Sequence, residues 1–552
     1  MRAYTIGMDF GTLSGRAVLA DTHSGAILAD SMCLYPHGVM TDALPDGTPL
    51  QRGWALQDPQ DYLTVMDTVL PKIIRKSGVR AEEIIGIGVD FTSATVLPLD
   101  DKGTPLCMLP SFGGDPHAYV KLWKHHAALR EAKDIRSVFL SCAPERICRG
   151  LQIISCESQL AKVLETLRAS PEIYRRAAHF AEAGDWITWQ LCGHLTQSLC
   201  AAGFKGLYDS HSGFPTSDIL AKLHPELENY ISEKWNQPMY PLGKCIGYVT
   251  PRAAQRWGLP TSCAVAVSLI DGHAALPACG VCGEDTLLMI MGTGSTHIML
   301  SKEYKKTEGA CGVVKEGVYP SYWAYEAGQC CVGDHYDWFA SHYLCASYAT
   351  QAEAAGLTAQ QYLAEKALRL RPGESGLLAL DWWNGNRSTL MNAELGGLMI
   401  GMTLQTKPEE IYRALAEATA FGARYIHDAY RKAGLTIQEI RATGGICQKS
   451  PLIMQIYADV LQMPLHLAGL RYGSALGSAI FAAVAAGSGR GGYDAIQEAV
   501  EQMQDISEVI YEPNSAHAAP YNELYASYRQ LYRYFGCDEP QFMQRLKQGT
   551  HI

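Results

Sequence analysis

The sequence predicts an α/β protein built from two similar halves, and three observations carry that prediction. The run Gly7-Met-Asp-Phe-Gly-Thr-Leu-Ser-Gly-Arg16 is echoed at Met289-Ile-Met-Gly-Thr-Gly-Ser-Thr296, each a tight Gly/Thr/Ser turn between two apolar strands. At 552 residues the chain is too long for a single core. Short apolar strands ending on polar residues, such as Gly86–Thr92 and Pro260–Asp271, are interleaved with helical patterns.

The elements follow in order. A strand hairpin opens the chain, and helical periodicity spans Pro59–Ser77, then Tyr119–Ala132 and Ser158–Ala169. Pro260–Asp271 reads as an apolar strand ending on a carboxylate near the midpoint, just before the second hairpin. Thr406-Lys-Pro-Glu409 reads as a capping box that starts a long helix ending at Gly434. Ile440–Ala442 is a short strand, Leu452–Leu461 a helix, and Gly473–Gly487 a small-residue helix able to pack closely. The tail from Ala516 to Lys547 is helical and amphipathic, with no chemistry of its own.

Composition limits the function. Apolar content of 47% and charged content of 18% indicate a globular chain. A net charge of −10 argues against a nucleic-acid partner. The N-terminus has no signal-peptide pattern, and the small-apolar run Ala475–Ala486 is too short to span a bilayer. A soluble, cytoplasmic protein is the expectation. Seventeen scattered cysteines read as reduced thiols. The C-x-x-C at Cys279–Cys282 lacks a second ligand pair and reads as small buried side chains.

Three kinds of segment carry candidate chemistry. Turns like those at Gly11, Thr12, Ser14 and Arg16, and at Gly292, Thr293 and Gly294, expose N–H groups and hydroxyls able to wrap phosphate oxygens. Asp9 adds a carboxylate suited to Mg²⁺ among phosphates. Gly444-Gly445, between a strand and a helix, allows close backbone approach to a planar ligand, or is a plain turn. Asp271 is either a helix N-cap or a strand-end carboxylate able to take a proton from an attacking hydroxyl. His273 reads as a residue behind the site or on the surface, and His125-His126 as a solvated helix face. Lys205 is ordinarily a solvated lysine. Glu326 sits among aromatic residues, where a carboxylate needs a partner, and a polyhydroxyl ligand is one candidate. A Walker-type phosphate loop is absent from the sequence.

Together these segments resemble the FGGY carbohydrate kinases, members of the actin, hexokinase and heat-shock-70-like ATPase fold with duplicated ribonuclease-H-like domains. The likeness is nearest to the ribulokinase branch and covers nearly the whole chain. Its most specific carriers are Lys121-Leu-Trp-Lys-His-His-Ala-Ala and Ala379-Leu-Asp-Trp-Trp-Asn-Gly-Asn-Arg-Ser. Glu417-Ala-Thr-Ala-Phe-Gly and Gly444-Gly-Ile-Cys-Gln-Lys-Ser add to it. The resemblance implies a sugar-binding domain at 1–255 and an ATP-binding domain at 256–552. It implies ATP and Mg²⁺ as cofactors and a ketopentose as substrate, L-ribulose foremost, in L-arabinose catabolism. A kinase for another ketose or polyol is the near alternative, and a non-catalytic ATP switch on the same fold the distant one. The resemblance makes Asp271 the general base and Asp9 a holder of Mg²⁺. It has Thr12, Gly292, Thr293 and Gly294 cradle phosphates, and Gly444, Gly445 and Gln448 border the adenosine. Ala94, Lys205, Asp271 and Glu326 would face the sugar. The chain departs from the family at Ser268-Leu-Ile-Asp271-Gly-His273, and at Gly150-Leu-Gln-Ile-Ile-Ser-Cys156 in place of Gly-Gly-Lys-Ile-Ser-Ser. The reading allows a homodimer and needs neither membrane nor nucleic acid.

Overall fold

A computed structural model describes residues 2–148, 154–469 and 471–547. The chain forms two compact units. The first runs to Cys282 and adds Gly312–Ala324 and Arg471–Asp505; the second holds Gly283–Cys311, the stretch from Tyr325 onward, and the residues from Ile506.

In the first unit, β1 (Tyr4–Phe10), β2 (Ser14–Asp21) and β3 (Ile27–Leu34) form an antiparallel meander. β4 (Ile84–Phe91) lies parallel to β1 on its other side and is buried along its whole length, as expected of a parallel strand covered on both faces. β5 (Cys245–Tyr248), β6 (Ala264–Ala266) and β7 (Leu269–Ile270) complete the sheet in the order β5-β6-β4-β1-β2-β3, with β7 pairing β4. The expected single strand over 260–271 is therefore two short strands, β6 and β7, each pairing β4 in parallel at a different place.

Helix Pro59–Ser77 covers one face, packing on β2 and β3. Asp58 caps it by accepting from Gln60 N at 2.8 Å, and Gly78 ends it in the left-handed region. Its stripe of Tyr62, Val65, Met66, Val69, Leu70 and Ile73 is buried, each such side chain contributing about 1.5–3 kcal/mol. Helix Gly473–Ala486 packs against β1, β4 and helix Asp271–Ala278. Its approach requires glycine: a Cβ on Gly7 would fall on the Ala475 carbonyl, and one on Gly477 on the Ala274 carbonyl. The small-residue run thus folds with the first unit, about 200 residues before it in sequence.

The second unit repeats the plan. β8 (Thr286–Met291), β9 (Ser295–Ser301) and β10 (Trp323–Gln329) follow one another, and β11 (Glu439–Thr443) runs parallel to β8. β12 (Leu465–Ala468) is parallel to β11, and β13 (Ile506–Tyr511) antiparallel to β12. The order β10-β9-β8-β11-β12 matches β3-β2-β1-β4-β6, so the duplication seen in two turns extends to whole sheets.

The long helix is Pro408–Lys432, about 40 Å, with Gly434 at positive φ behind it. The expected box on Thr406 and Glu409 is replaced by half of one a residue later: the Glu410 carboxylate accepts from Lys407 N at 2.8 Å, while the Lys407 side chain has no acceptor to return the bond. The tail begins as helix Ala518–Arg533. Tyr521, Tyr525, Tyr528 and Tyr532, one helical stripe, are all buried, and Phe421 of the long helix meets the first three. Among the described residues no helix is long and apolar enough to cross a membrane.

Candidate active site

Three carboxylates of the first unit gather at the C-terminal edge of its parallel strands. Asp9 of β1 is the register partner of Asp90 on β4. β7 pairs Leu269 with Asp90, and the residue after β7 is Asp271. Asp271 is the first helical residue rather than the N-cap, which is Ile270. Its Oδ1 accepts from Gly272 N at 2.7 Å, which orients the carboxylate.

Asp9 approaches Arg16, its register partner on β2, with Nε–Oδ2 at 3.3 Å. Asp90 is fully buried; Ser478 donates to its Oδ2 at 2.6 Å, and Oδ1 has no donor among the described residues. Burial pushes Asp90 well above the carboxylate range, and the charges of Asp9 and Asp271 push it further. Burial raises Asp9 as well, against the pull of Arg16. Two such carboxyls relieve their repulsion by sharing a proton. The same edge of hard oxygen donors suits a cation. Among the described residues no cluster of three or more His, Cys, Asp or Glu could hold a metal alone.

The first turn has its carbonyls occupied. Gly11 O accepts from the Tyr35 hydroxyl at 2.9 Å, Thr12 O from Gln57 Nε2 at 2.8 Å and Leu13 O from Tyr35 N at 3.0 Å. Trp123 Nε1 donates to Thr12 Oγ1 at 3.1 Å, while Ser14 is buried in β2. The second turn is built alike. Gly292 O accepts from Gly333 N at 2.9 Å, Thr293 O from Val332 N at 2.8 Å and Gly294 O from Gly292 N at 2.9 Å. Turns whose carbonyls are bonded inward remove the groups that would repel an anion.

Ala94, expected to face a sugar, lies just past β4 with φ +50, a conformation uncommon outside glycine. Its carbonyl accepts from the buried Lys162 ammonium, which also donates to Leu122 O at 2.9 Å. Burial lowers Lys162 to about 8 and raises its neighbour Glu182 to about 7. Lys205 pairs with Glu157 at 3.3 Å and is mostly buried, so it is not the solvated lysine of the plain reading. The departure at 150–156 lies outside the described residues as far as 153.

In the second unit, Gly444 has φ +106, and a Cβ there would collide with Met291. The strand end before the second turn and the Gly444-Gly445 corner are thereby brought together. Gly445 opens a short helix to Lys449 on which Gln448 is exposed. Glu326 on β10 is buried, with the Cys311 thiol donating to Oε1 at 3.3 Å.

Further expectations fail around the histidines. The helix over Tyr119–Ala132 is instead the strand Val120–Lys121, a turn, and a helix from Leu129 to Cys142. His125 is consequently buried, its Nε2 2.9 Å from Glu165, because that carboxylate, held by Lys121 at 2.6 Å, solvates it. His273, read as lying behind the site or on the surface, is buried and stacked on Phe204 at 4.2 Å, which excludes the surface alternative. Sequence reasoning missed Asp90 and Lys162 as site residues. Asp90 carried the same strand-end signal as Asp271; Lys162 carried none.

The FGGY family of carbohydrate kinases matches with its N-terminal domain over residues 4–277 and its C-terminal domain over residues 287–486. The chain belongs to this family and is a carbohydrate kinase. It is 46% identical over 545 residues to the ribulokinase of Bacillus licheniformis, covering 98% of each chain. It is also 46% identical over 545 residues to that of Halalkalibacterium halodurans, covering 99% of this chain and 97% of the other. The fold is that of the solved xylulose kinase from Rhodospirillum rubrum, with TM-score 0.79 at 24% identity, over 98% of this chain and 100% of that one.

Proposed function

We propose that the chain transfers the γ-phosphoryl group of ATP to a hydroxyl of ribulose, O5 of L-ribulose foremost, as a cytoplasmic step of L-arabinose use. The observation that carries the mechanism is Asp271, oriented by Gly272 N at a strand end beside the Asp9–Asp90 pair. Asp271 takes the proton of the attacking hydroxyl, and the negative charge around it favours that uptake. Lys205 and Glu326 hydrogen-bond the sugar hydroxyls, and the Ala94 carbonyl, held by Lys162, borders them. The turns at Gly11–Ser14 and Gly292–Gly294 receive phosphate oxygens, Arg16 draws Asp9 toward its charged form against the effect of burial, and Gly444, Gly445 and Gln448 border the adenosine. Asp9 would hold Mg²⁺, which neutralises phosphate charge when bound. Phosphoryl transfer asks for positioning and charge stabilisation more than covalent chemistry from the protein.

The test is ADP release across a panel of pentuloses and pentitols. Sugar-dependent release, fastest with ribulose, is expected; sugar-independent release would indicate an ATP switch. Asp271→Asn keeps the shape and loses the acceptor, so turnover should fall by roughly 10² or more with ATP binding retained. Near-normal turnover would remove Asp271 from the role.

A further inference from the structure

We propose that Tyr528, on the C-terminal helix Ala518–Arg533, is a positioning residue for the turn Gly292–Gly294, acting through Asp381, Gln329 and Ser295. The inference rests on the reading that this turn receives ATP phosphates, and it assigns a role to the tail.

Ser295 follows the turn directly and opens β9. Its hydroxyl donates to Gln329 Oε1 at 2.8 Å. The Gln329 amide donates to Asp381 Oδ2 and to Thr419 O, both at 2.8 Å. The Tyr528 hydroxyl donates to Asp381 Oδ1 at 2.8 Å. Ser295, Gln329, Asp381 and Tyr528 are all buried, so water cannot replace a lost partner freely.

The chain of bonds has one direction. An ionised carboxylate only accepts, so Gln329 must turn its NH₂ toward Asp381 and its oxygen toward Ser295. Ser295 then commits its proton to Gln329 and accepts from His297 Nε2 at 2.9 Å. His297 Nδ1 in turn lies 3.0 Å from His427 Nε2. Asp381 thus sets, two hydrogen bonds away, the orientation of the hydroxyl beside the turn. The backbone reinforces the link: residues 332 and 333, just past Gln329, bond the turn's own carbonyls.

Two conspicuous sequence runs acquire a joint reason. Asp381 heads the Asp-Trp-Trp run, and Gly422 ends the Ala-Phe-Gly run. A Cβ on Gly422 would stand 2.5 Å from both Asp381 Oδ2 and Gln329 Nε2, so the long helix admits this bond only with glycine there.

The experiment uses the full-length enzyme and five variants, with KM for ATP, KM for ribulose, kcat and Tm measured for each. Tyr528→Phe should raise KM for ATP about 5- to 10-fold while KM for ribulose stays within about twofold. Ser295→Ala should do the same, and the double variant should be no worse than either single one, as for residues acting through one chain of bonds. Tyr525→Phe removes a neighbouring hydroxyl bonded to Asp428 at 2.7 Å, outside the chain, and should leave KM for ATP unchanged. A lower Tm in Tyr528→Phe with an unmoved KM for ATP would overturn the proposal in favour of a purely structural network. Thr293→Ala separates the two readings. If it raises KM for ATP and Tyr528→Phe does not, the tail inference alone fails; if neither does, the phosphate reading of the turn fails with it.

Discussion

Asp9 and Asp90 stand opposite one another on parallel strands, two carboxyls in register at the edge where Asp271 also lies. Asp90 takes a hydrogen bond from Ser478 on one oxygen and, among the described residues, has no donor for the other. Like charges held this close disfavour ionisation of both.

Asp90→Asn should therefore stabilise the apo protein. The amide keeps an acceptor for Ser478 and offers N–H to Asp9. A gain in stability at pH 7 is expected, because the neutral amide avoids the burial penalty and the repulsion by Asp9 and Asp271 that act on the carboxyl. Urea unfolding without divalent cations measures it; a loss of stability would show that Asp90 is needed as an anion.

Lys205→Ala and Glu326→Ala should impair ketose use far more than ATP binding. A lost charged hydrogen bond costs about 1.5–3 kcal/mol, or roughly 10- to 100-fold in kcat/KM for the ketose. Lys205→Ala also leaves Glu157 without its 3.3 Å partner, so its stability should be measured alongside. A variant that raises KM for ATP alone would move that residue to the nucleotide side.

Stability should depend on pH through Asp185. Burial holds this carboxyl at about 8, against an ordinary 3.8, although Ser268 donates to it at 2.6 Å. The folded state binds the proton more tightly than the unfolded one. The contribution is thus complete below about 3.8 and is lost as pH rises through about 8, with a slope of about 1.4 kcal/mol per pH unit between. Asp185→Asn should remove that slope, which urea midpoints at pH 5 and 7 would detect. An unchanged difference between the two pH values would mean that Asp185 is ionised in the folded protein.

The sequence by itself determined whatever depends on neighbours along the chain. Periodicity places helix Pro59–Ser77, whose ends are local too, because Asp58 and Gly78 terminate it with their own side chain and backbone. The two hairpins and the strand-end Asp271 are local for the same reason, and together with the Lys121-Leu-Trp-Lys and Asp381-Trp-Trp-Asn-Gly-Asn-Arg387 runs they carried the family resemblance. The tertiary structure alone decided what distant residues do to one another. Asp90 meets Ser478, 388 positions on, and Tyr528 meets Asp381, 147 positions back. His125 and Lys162 look solvated in any local window. They are buried because Glu165 on one side, and the Ala94 and Leu122 carbonyls on the other, replace water around them. Burial is a property of the assembled sheet and helices, so the ionisation of these groups, and the chemistry drawn from it, becomes visible only once the chain has folded.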